Sequence, residues 1–126
     1  PRRLAVSEVP GSLPFSPQRI FVVDGVPPGG IRGVHAHREC HQFLISVRGR
    51  VIIGIDEGPG REAEIDLCGP SQGVWIPPLV WGRQTYVDDG AALLVAASAA
   101  YSEGDYINDY GEFLSELERS NWTPRR

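Results

Sequence analysis

Three histidines lie within one seven-residue window, and they are the side chains of this sequence best suited to acid–base chemistry. His35, His37 and His41 are the only histidines in the chain. In an extended strand, residues two apart project from the same face, so we expect His35 and His37 to point the same way. Imidazole exchanges protons near neutral pH and also binds metals. The window therefore predicts a proton-transfer site, a ligand-binding site or a metal site.

Composition excludes several other kinds of chemistry. All 12 basic residues are arginine, so the chain offers no lysine for a Schiff base, a pyridoxal-phosphate anchor or a phosphate-binding loop. The net charge of −4 argues against general nucleic-acid binding. Acidic residues are concentrated in residues 103–119, so the rest of the chain can still present arginine to an anionic ligand. Cys40 and Cys68 form no CxxC pair and are interpreted as ordinary thiols.

The spacing of turns and apolar residues predicts the elements that must position the histidines. The length of 126 residues predicts one domain, spanning 1–126. The 15 glycines and 11 prolines indicate frequent turns, which favour many short strands. β-Branched and alternating segments between the turns predict eight strands, an arrangement typical of a sandwich or small barrel. These strands are Arg19–Asp24, Ile31–His37, Gln42–Arg48, Arg50–Ile55, Glu62–Leu67, Val74–Ile76, Trp81–Val87 and Ala91–Ser98.

The two ends of the chain differ from this central part. Residues 1–18 are rich in proline and predict an extended arm or edge strand. Residues 103–119 predict a short amphipathic helix, with Ser102 as a possible cap and one apolar stripe formed by Ile107, Tyr110, Leu114 and Leu117. The start of the sequence has no apolar signal-like core and the longest apolar run is too short to cross a bilayer, so we expect a soluble, cytoplasmic protein.

The residues that follow the histidine pair bear on the metal question. The pattern H-x-H, then Gln42 and Gly49, resembles the first motif of the cupin superfamily, and residues 73–81 resemble the second. In metal-binding cupins a glutamate stands at the position of Gln42 and a further histidine stands near Gly82. An amide is a weak ligand and glycine has no side chain to offer. We therefore expect no metal, and a metal-dependent cupin oxygenase or isomerase remains an alternative.

Three segments together resemble one branch of the cupins, the sugar 3,4-ketoisomerases that act on nucleotide-linked 4-keto-6-deoxyhexoses and that include the WxcM-like C-terminal domains. The segments are RGVHAHRECHQFLISVRG at 32–49, WIPPLVW at 75–81 and YSEGDYINDYGEFL at 101–114. The resemblance implies an all-β jelly-roll barrel with a short C-terminal helix. It also implies an isomerase without cofactor, a dTDP-4-keto-6-deoxyglucose substrate, and a homodimer that exchanges N-terminal strands.

The resemblance further implies roles for individual residues. His35 would move the proton at carbon, and His37 would move it between the two oxygens. Arg32 and Gln42 would stabilise oxyanion charge or bind phosphate. In the second motif, Trp81 would form a wall of the pocket and Arg83 would contact the ligand. His41 would be a bystander.

Two departures from the family pattern leave a further alternative open. The strand before the histidines reads Phe21, Val22, Val23, where the family often carries a tyrosine hydroxyl. Gly82 follows Trp81, where the family commonly has histidine or arginine. These departures favour, as an alternative, a non-catalytic module that binds sugar nucleotides.

Overall fold

The computed structural model describes residues 13–121, and these residues form two antiparallel sheets that face each other. All eight predicted strands are confirmed, and each end lies within one residue of its predicted position. The strands are β1 Arg19–Val23, β2 Gly30–His37, β3 Gln42–Arg48, β4 Val51–Asp56, β5 Glu62–Leu67, β6 Gly73–Ile76, β7 Trp81–Tyr86 and β8 Ala92–Ala97. A ninth short strand, β9 Tyr106–Ile107, precedes the helix α1 Tyr110–Asn121.

The strand order is that of a jelly roll. One sheet has the order β1-β8-β3-β6 and the other has the order β5-β4-β7-β2-β9. Alternate residues of both sheets point into the space between them, where the largest buried side chains include Leu44, Ile53, Tyr86 and Leu93. The predicted all-β barrel with one C-terminal helix is therefore confirmed.

The C-terminal helix begins later than the predicted range 103–119. Glu103–Asp105 forms a single 3-10 turn, and α1 starts at Tyr110. The side chain of Ser102 makes no capping bond, whereas the Asp109 carboxylate accepts the backbone N–H of Glu112 at 2.9 Å, as an N-cap does. The segment between these turns is extended because it pairs with the end of β2, which the helical periodicity of the sequence did not reveal.

The inner side of α1 covers the outer face of the five-stranded sheet. Phe113 is fully buried there against Ala36 and Ile107, and Trp81 packs beside them. This cluster is separate from the core between the sheets, so each face of β2 is packed against a different set of residues.

Part of the expected N-terminal arm, residues 1–12, lies outside the described residues, and so does the strand exchange assigned to it. None of the helices within residues 13–121 has the length and apolar composition that crossing a bilayer demands.

Candidate active site

The structure brings His35 and His37 together on the inner face of β2. Their ring centroids lie 4.9 Å apart and the rings are nearly perpendicular, at 87°. His35 is half-buried and His37 is buried. In the ladders, His35 lies opposite Gly82 on β7 and His37 lies opposite Tyr106 on β9. The two imidazoles therefore sit at one end of the barrel, between the two sheets.

A β-bulge brings Arg32 to the same face as the histidines. Arg32 pairs with Gln84 and His35 pairs with Gly82, so two residues of β2 face only Arg83 on β7. Without the bulge, three positions of separation would put Arg32 and His35 on opposite faces. Gly33 occupies the bulge with φ of +65°, and an added Cβ there would lie 2.5 Å from Nε2 of Gln84. Glycine is thus required at position 33 to align Arg32 with the pair.

The Asp105 carboxylate fixes the orientation of His37. Nδ1 of His37 lies 2.8 Å from Oδ2 of Asp105, and the same carboxylate accepts the backbone N–H groups of Glu39 and Cys40 at 2.7 and 3.3 Å. Since a carboxylate only accepts, Nδ1 of His37 carries the hydrogen and Nε2 keeps its lone pair. Nε2 is buried and has no hydrogen-bond partner among the described residues. It is therefore available to a ligand.

All three motifs meet around the backbone of His37. The N–H of Leu79, in the turn between β6 and β7, donates to the His37 carbonyl at 2.8 Å. The N–H of Arg38 donates to the Asp105 carbonyl, also at 2.8 Å. The turn after β6 and the segment before β9 thus both hold the end of β2, which explains why segments far apart in sequence matter to one site.

Burial keeps both imidazoles neutral. Burial, together with a smaller contribution from the neighbouring His37, lowers the pKa of His35 to about 4. Burial also lowers the pKa of His37, against the opposing effect of the Asp105 hydrogen bond and charge, while Arg19 lowers it further. Burial alone would raise the pKa of Asp105, but its hydrogen bonds from His37 and the backbone lower it overall. At neutral pH the site therefore holds two proton acceptors and one carboxylate.

Tyr106 contacts both imidazoles and was not identified from the sequence. Its ring centroid lies 4.8 Å from that of His35 and 4.4 Å from that of His37. Asp105 was also overlooked, although both residues stand in the 101–114 motif. The sequence does not show that this motif pairs with β2. Asp105 and His37, which contact each other, are 68 positions apart in the chain.

Gln42 and Arg19 approach His37 from the opposite sheet. Both line a small cavity together with His37, Asp105 and Tyr106. Gln42 is buried at the start of β3, as expected for a site residue. Arg19 was not identified as a site residue, although alternation along β1 puts it on the same face as Phe21.

The structure does not bring Trp81 and Arg83 to the histidine pair. They flank Gly82, and alternation turns both of them to the outer face of the sheet. Trp81 packs edge-on against Tyr110, at 5.3 Å between ring centroids. Arg83 forms an ion pair with Glu64 at 3.1 Å. Both line an outer cavity of about 690 Å³, on the side of the sheet away from the imidazoles.

Comparison with known proteins agrees with the arrangement of this site. The family model described as "FdtA: WxcM-like, C-terminal" matches residues 2–118. The chain belongs to this family.

Its relatives include proteins named as sugar 3,4-ketoisomerases. The chain is 30% identical to TDP-4-oxo-6-deoxy-alpha-D-glucose-3,4-oxoisomerase of Aneurinibacillus thermoaerophilus. The match covers 87% of this chain and 78% of that protein. One similar solved structure is that of a mutant of the 3,4-ketoisomerase QdtA of Thermoanaerobacterium thermosaccharolyticum in complex with TDP-4-keto-6-deoxyglucose. The superposition has a TM-score of 0.82 at 35% sequence identity, and it covers 89% of this chain and 80% of that one. For WlaRA, the TDP-fucose-3,4-ketoisomerase of Campylobacter jejuni, the TM-score is 0.85 at 28% identity, with coverage of 93% and 86%.

For this member of the WxcM-like family, the residues around the pair suit proton transfer better than metal binding. Gly82, opposite His35, supplies no ligand atom where metal-binding cupins have a histidine. Ligand atoms of His37, Cys40 and Asp105 lie within 4.8 Å of one another. However, Nδ1 of His37 and the Asp105 oxygens are already joined in hydrogen bonds. A metal in this cluster would have to replace the bond that orients His37.

His41, the third histidine, stands outside the pair. Its Nδ1 accepts the indole N–H of Trp75 at 3.0 Å, and the two rings stack at 5.8 Å. The side chains that His41 contacts are thus different from those around His35 and His37. This separation is compatible with a bystander role for His41, which stays a prediction.

Proposed function

We propose that this chain is a sugar-nucleotide 3,4-ketoisomerase that converts dTDP-4-keto-6-deoxy-D-glucose into a dTDP-3-keto-6-deoxyhexose, as part of deoxysugar biosynthesis. The observation that carries the proposal is the pair of adjacent neutral imidazoles, one of which has its lone pair fixed by a carboxylate. The ketoisomerase activity of relatives that match over more than four fifths of the chain supports it.

Two neutral imidazoles suffice for the reaction. A base removes the proton from C3, next to the C4 carbonyl, and the electron pair of that bond forms an enediolate. A proton then returns to C4, while the proton of the C3 hydroxyl moves to the C4 oxygen and leaves a carbonyl at C3. His35 acts at carbon in this scheme, and His37 moves the proton between the oxygens through Nε2.

Arg32 and Gln42 complete the proposed substrate site. Arg32 is exposed at the end of the bulge and is a group suited to the diphosphate. Gln42 is buried beside His37 and can donate its amide N–H to a sugar oxygen. A role for Trp81 or Arg83 would require the ligand to reach the outer face of the sheet.

The decisive experiment is incubation with dTDP-4-keto-6-deoxyglucose in deuterated water, followed by NMR. We expect a 3-keto isomer with deuterium at the new C4, and neither product with His35→Asn. If the wild-type chain binds the nucleotide sugar and gives neither isomer nor deuterium exchange, it is a binding module and the proposed activity is refuted.

We propose that the reaction uses no metal or other cofactor, because the two imidazoles can perform every proton transfer in it. Exhaustive dialysis against a chelator should therefore leave turnover unchanged. Loss of turnover that is restored by one divalent metal would support a metal-dependent isomerase instead.

We infer that the active form is a homodimer. The outer face of the four-stranded sheet carries four large exposed apolar side chains, namely Ile20, Val22, Val47 and Trp75. A contiguous apolar face of this kind is typical of a protein interface, and a second copy of the chain can cover it symmetrically.

Light scattering should report a dimer, and Val22→Glu should dissociate it. Ile31→Glu, an exposed isoleucine of the other sheet, is the matched control and should leave the dimer intact.

A further inference from the structure

Arg19 holds an unassigned position at the catalytic end of the barrel. It pairs with Ala97 of β8, and Ala97 pairs in turn with Gln42 of β3. Directly paired residues project from the same face, so Arg19, Ala97 and Gln42 form a row on the inner face of the four-stranded sheet. Because the central member is only an alanine, the two polar side chains flank a gap that faces His37.

Two aromatic rings hold the Arg19 guanidinium. Its central carbon lies 4.4 Å from the ring centroid of Phe21 and 5.5 Å from that of Tyr101. These contacts are of cation–π type and do not use the N–H groups along the edge of the guanidinium. Within residues 13–120 no acidic side chain forms an ion pair with Arg19. The site thus contains a half-buried cation whose hydrogen-bond donors are not used by the described part of the chain.

The space beside Arg19 is small. The cavity that it shares with His37 and Gln42 measures about 10 Å³, which is close to the least that one water molecule needs. A single oxygen atom matches this volume and a diphosphate does not. The cavity therefore favours an oxygen of the sugar as the partner of Arg19.

We propose that Arg19 donates hydrogen bonds to the sugar oxygen that becomes negatively charged during enolisation. The inference rests on the proposed ketoisomerase function. When the C3–H bond breaks, the proton goes to an imidazole and the electron pair of that bond forms the C3–C4 double bond. The π pair of the C4 carbonyl moves at the same time onto the C4 oxygen, which becomes negatively charged. A guanidinium stays protonated throughout, so it stabilises that charge without competing for the protons that the imidazoles move.

The position of Arg19 near His37 also affects the pKa of that histidine. The positive charge of Arg19 lowers the pKa of His37 and so helps to keep its Nε2 unprotonated. Arg19 would thus stabilise the intermediate and preserve the base that serves it.

The test compares Arg19→Gln with Arg61→Gln. Arg61 is an exposed arginine of the β4–β5 loop, paired only with Glu57 at 3.7 Å, and serves as the control. We expect Arg19→Gln to lower kcat by about 10²- to 10³-fold, the usual effect of losing one oxyanion donor, with unchanged affinity for TDP. Arg19→Lys should restore part of the activity, and Arg61→Gln should behave as wild type.

A second variant keeps the inference falsifiable if Arg19→Gln does not fold. Tyr101 is 62% exposed, so Tyr101→Ala should fold while it frees the guanidinium from one of its two rings. We expect kcat to fall by about tenfold, roughly the effect of one cation–π contact, without a change in TDP affinity. An unchanged kcat in both Arg19→Gln and Tyr101→Ala, or a loss of TDP affinity with kcat preserved, would overturn the inference.

The outcome can be separated from failure of the proposed function. If the wild-type chain isomerises the sugar and Arg19→Gln does so equally well, only the inference about Arg19 fails. If the wild-type chain does not isomerise it, the function fails. In either case, NMR titration should show a higher pKa for His37 in Arg19→Gln than in wild type, because a nearby positive charge has been removed.

Discussion

The two faces of β2 carry different residues that perform different tasks. On the inner face, His35 and His37 stand against Tyr106, with Asp105 behind them. On the outer face, Ala36 is buried beneath α1, in the cluster that contains Phe113. Alternation along a single strand thus puts reactive groups on one side and the packing that holds the strand on the other.

Packing on the outer face of β2 also holds the backbone that carries the two imidazoles. Ala36 lies between the two histidines in sequence and is fully buried against Ile107 and Phe113. This packing and the Leu79 bond to the His37 carbonyl hold the backbone on both sides of His37. Loss of an inner residue should therefore affect turnover, and loss of an outer one should affect stability.

The largest effect on activity is expected for His35. His35→Gln should lower kcat by about 10²- to 10⁴-fold, the usual contribution of a general acid–base group. Because the side chain of His35 makes no hydrogen bond to another described residue, the free energy of unfolding should change little. Steady-state turnover and urea denaturation of the same preparation provide the check. A parallel loss of stability would contradict the division between the two faces.

The opposite result is expected for Phe113, which is fully buried on the inner side of α1. Phe113→Ala should lower the free energy of unfolding by about 3–5 kcal/mol, since it removes a fully buried ring. At a temperature where the variant is folded, kcat should stay near the wild-type value. Leu114→Ala, on the same helix and only partly buried, is the control and should cost less. A kcat loss as large as that of His35→Gln would show that the faces are not separable.

Asp105 connects the inner site to the backbone, so its replacement should have a smaller but mixed effect. Asp105→Asn should lower kcat by about 10²-fold, the lower end of a general acid–base contribution, because the carboxylate that holds the His37 tautomer is lost. It should also lower the pKa of His37, since the Asp105 charge and hydrogen bond raise it. NMR titration of His37 and steady-state kinetics measure the two effects. An unchanged pKa would mean that Asp105 holds only the backbone of Glu39 and Cys40.

The inner face should also determine the pH dependence. His35 must be unprotonated to act as a base, and its pKa is lowered to about 4. The rate constant kcat/KM should therefore be level around neutral pH and fall by about tenfold per pH unit below that pKa. Stability should decline as the pH drops from 6.5 towards 4, because the unfolded chain takes up the proton first. An acid limb centred near 6.5 would show that the imidazole is solvated.

Much of this division could be predicted from the sequence, and the exceptions have physical causes. β-Branched runs between turns predicted all eight strands, and alternation predicted that His35 and His37 share a face. The importance of Asp105 depends on a contact 68 positions away, and helical periodicity does not show that its segment pairs with β2. The resemblance assigns Trp81 and Arg83 to the site through the second motif, but it does not show which way they face. Alternation along β7 turns both away from the face that Gly82 shares with His35, so their roles stay predictions.

The smallest effect is expected for Arg83, and it is the sharpest test of the two-face division. Its ion pair with Glu64 is largely exposed, so Arg83→Gln should change the free energy of unfolding by less than about 1 kcal/mol. Its kcat and TDP affinity should stay within about twofold of wild type, as for other surface substitutions. Arg32→Gln is the matched inner variant, and loss of its charged donor should weaken TDP binding by about tenfold or more. Calorimetric titration with TDP compares the two. Equal losses would mean that the nucleotide extends around the sheet into the outer cavity, and that Arg83 contacts it there.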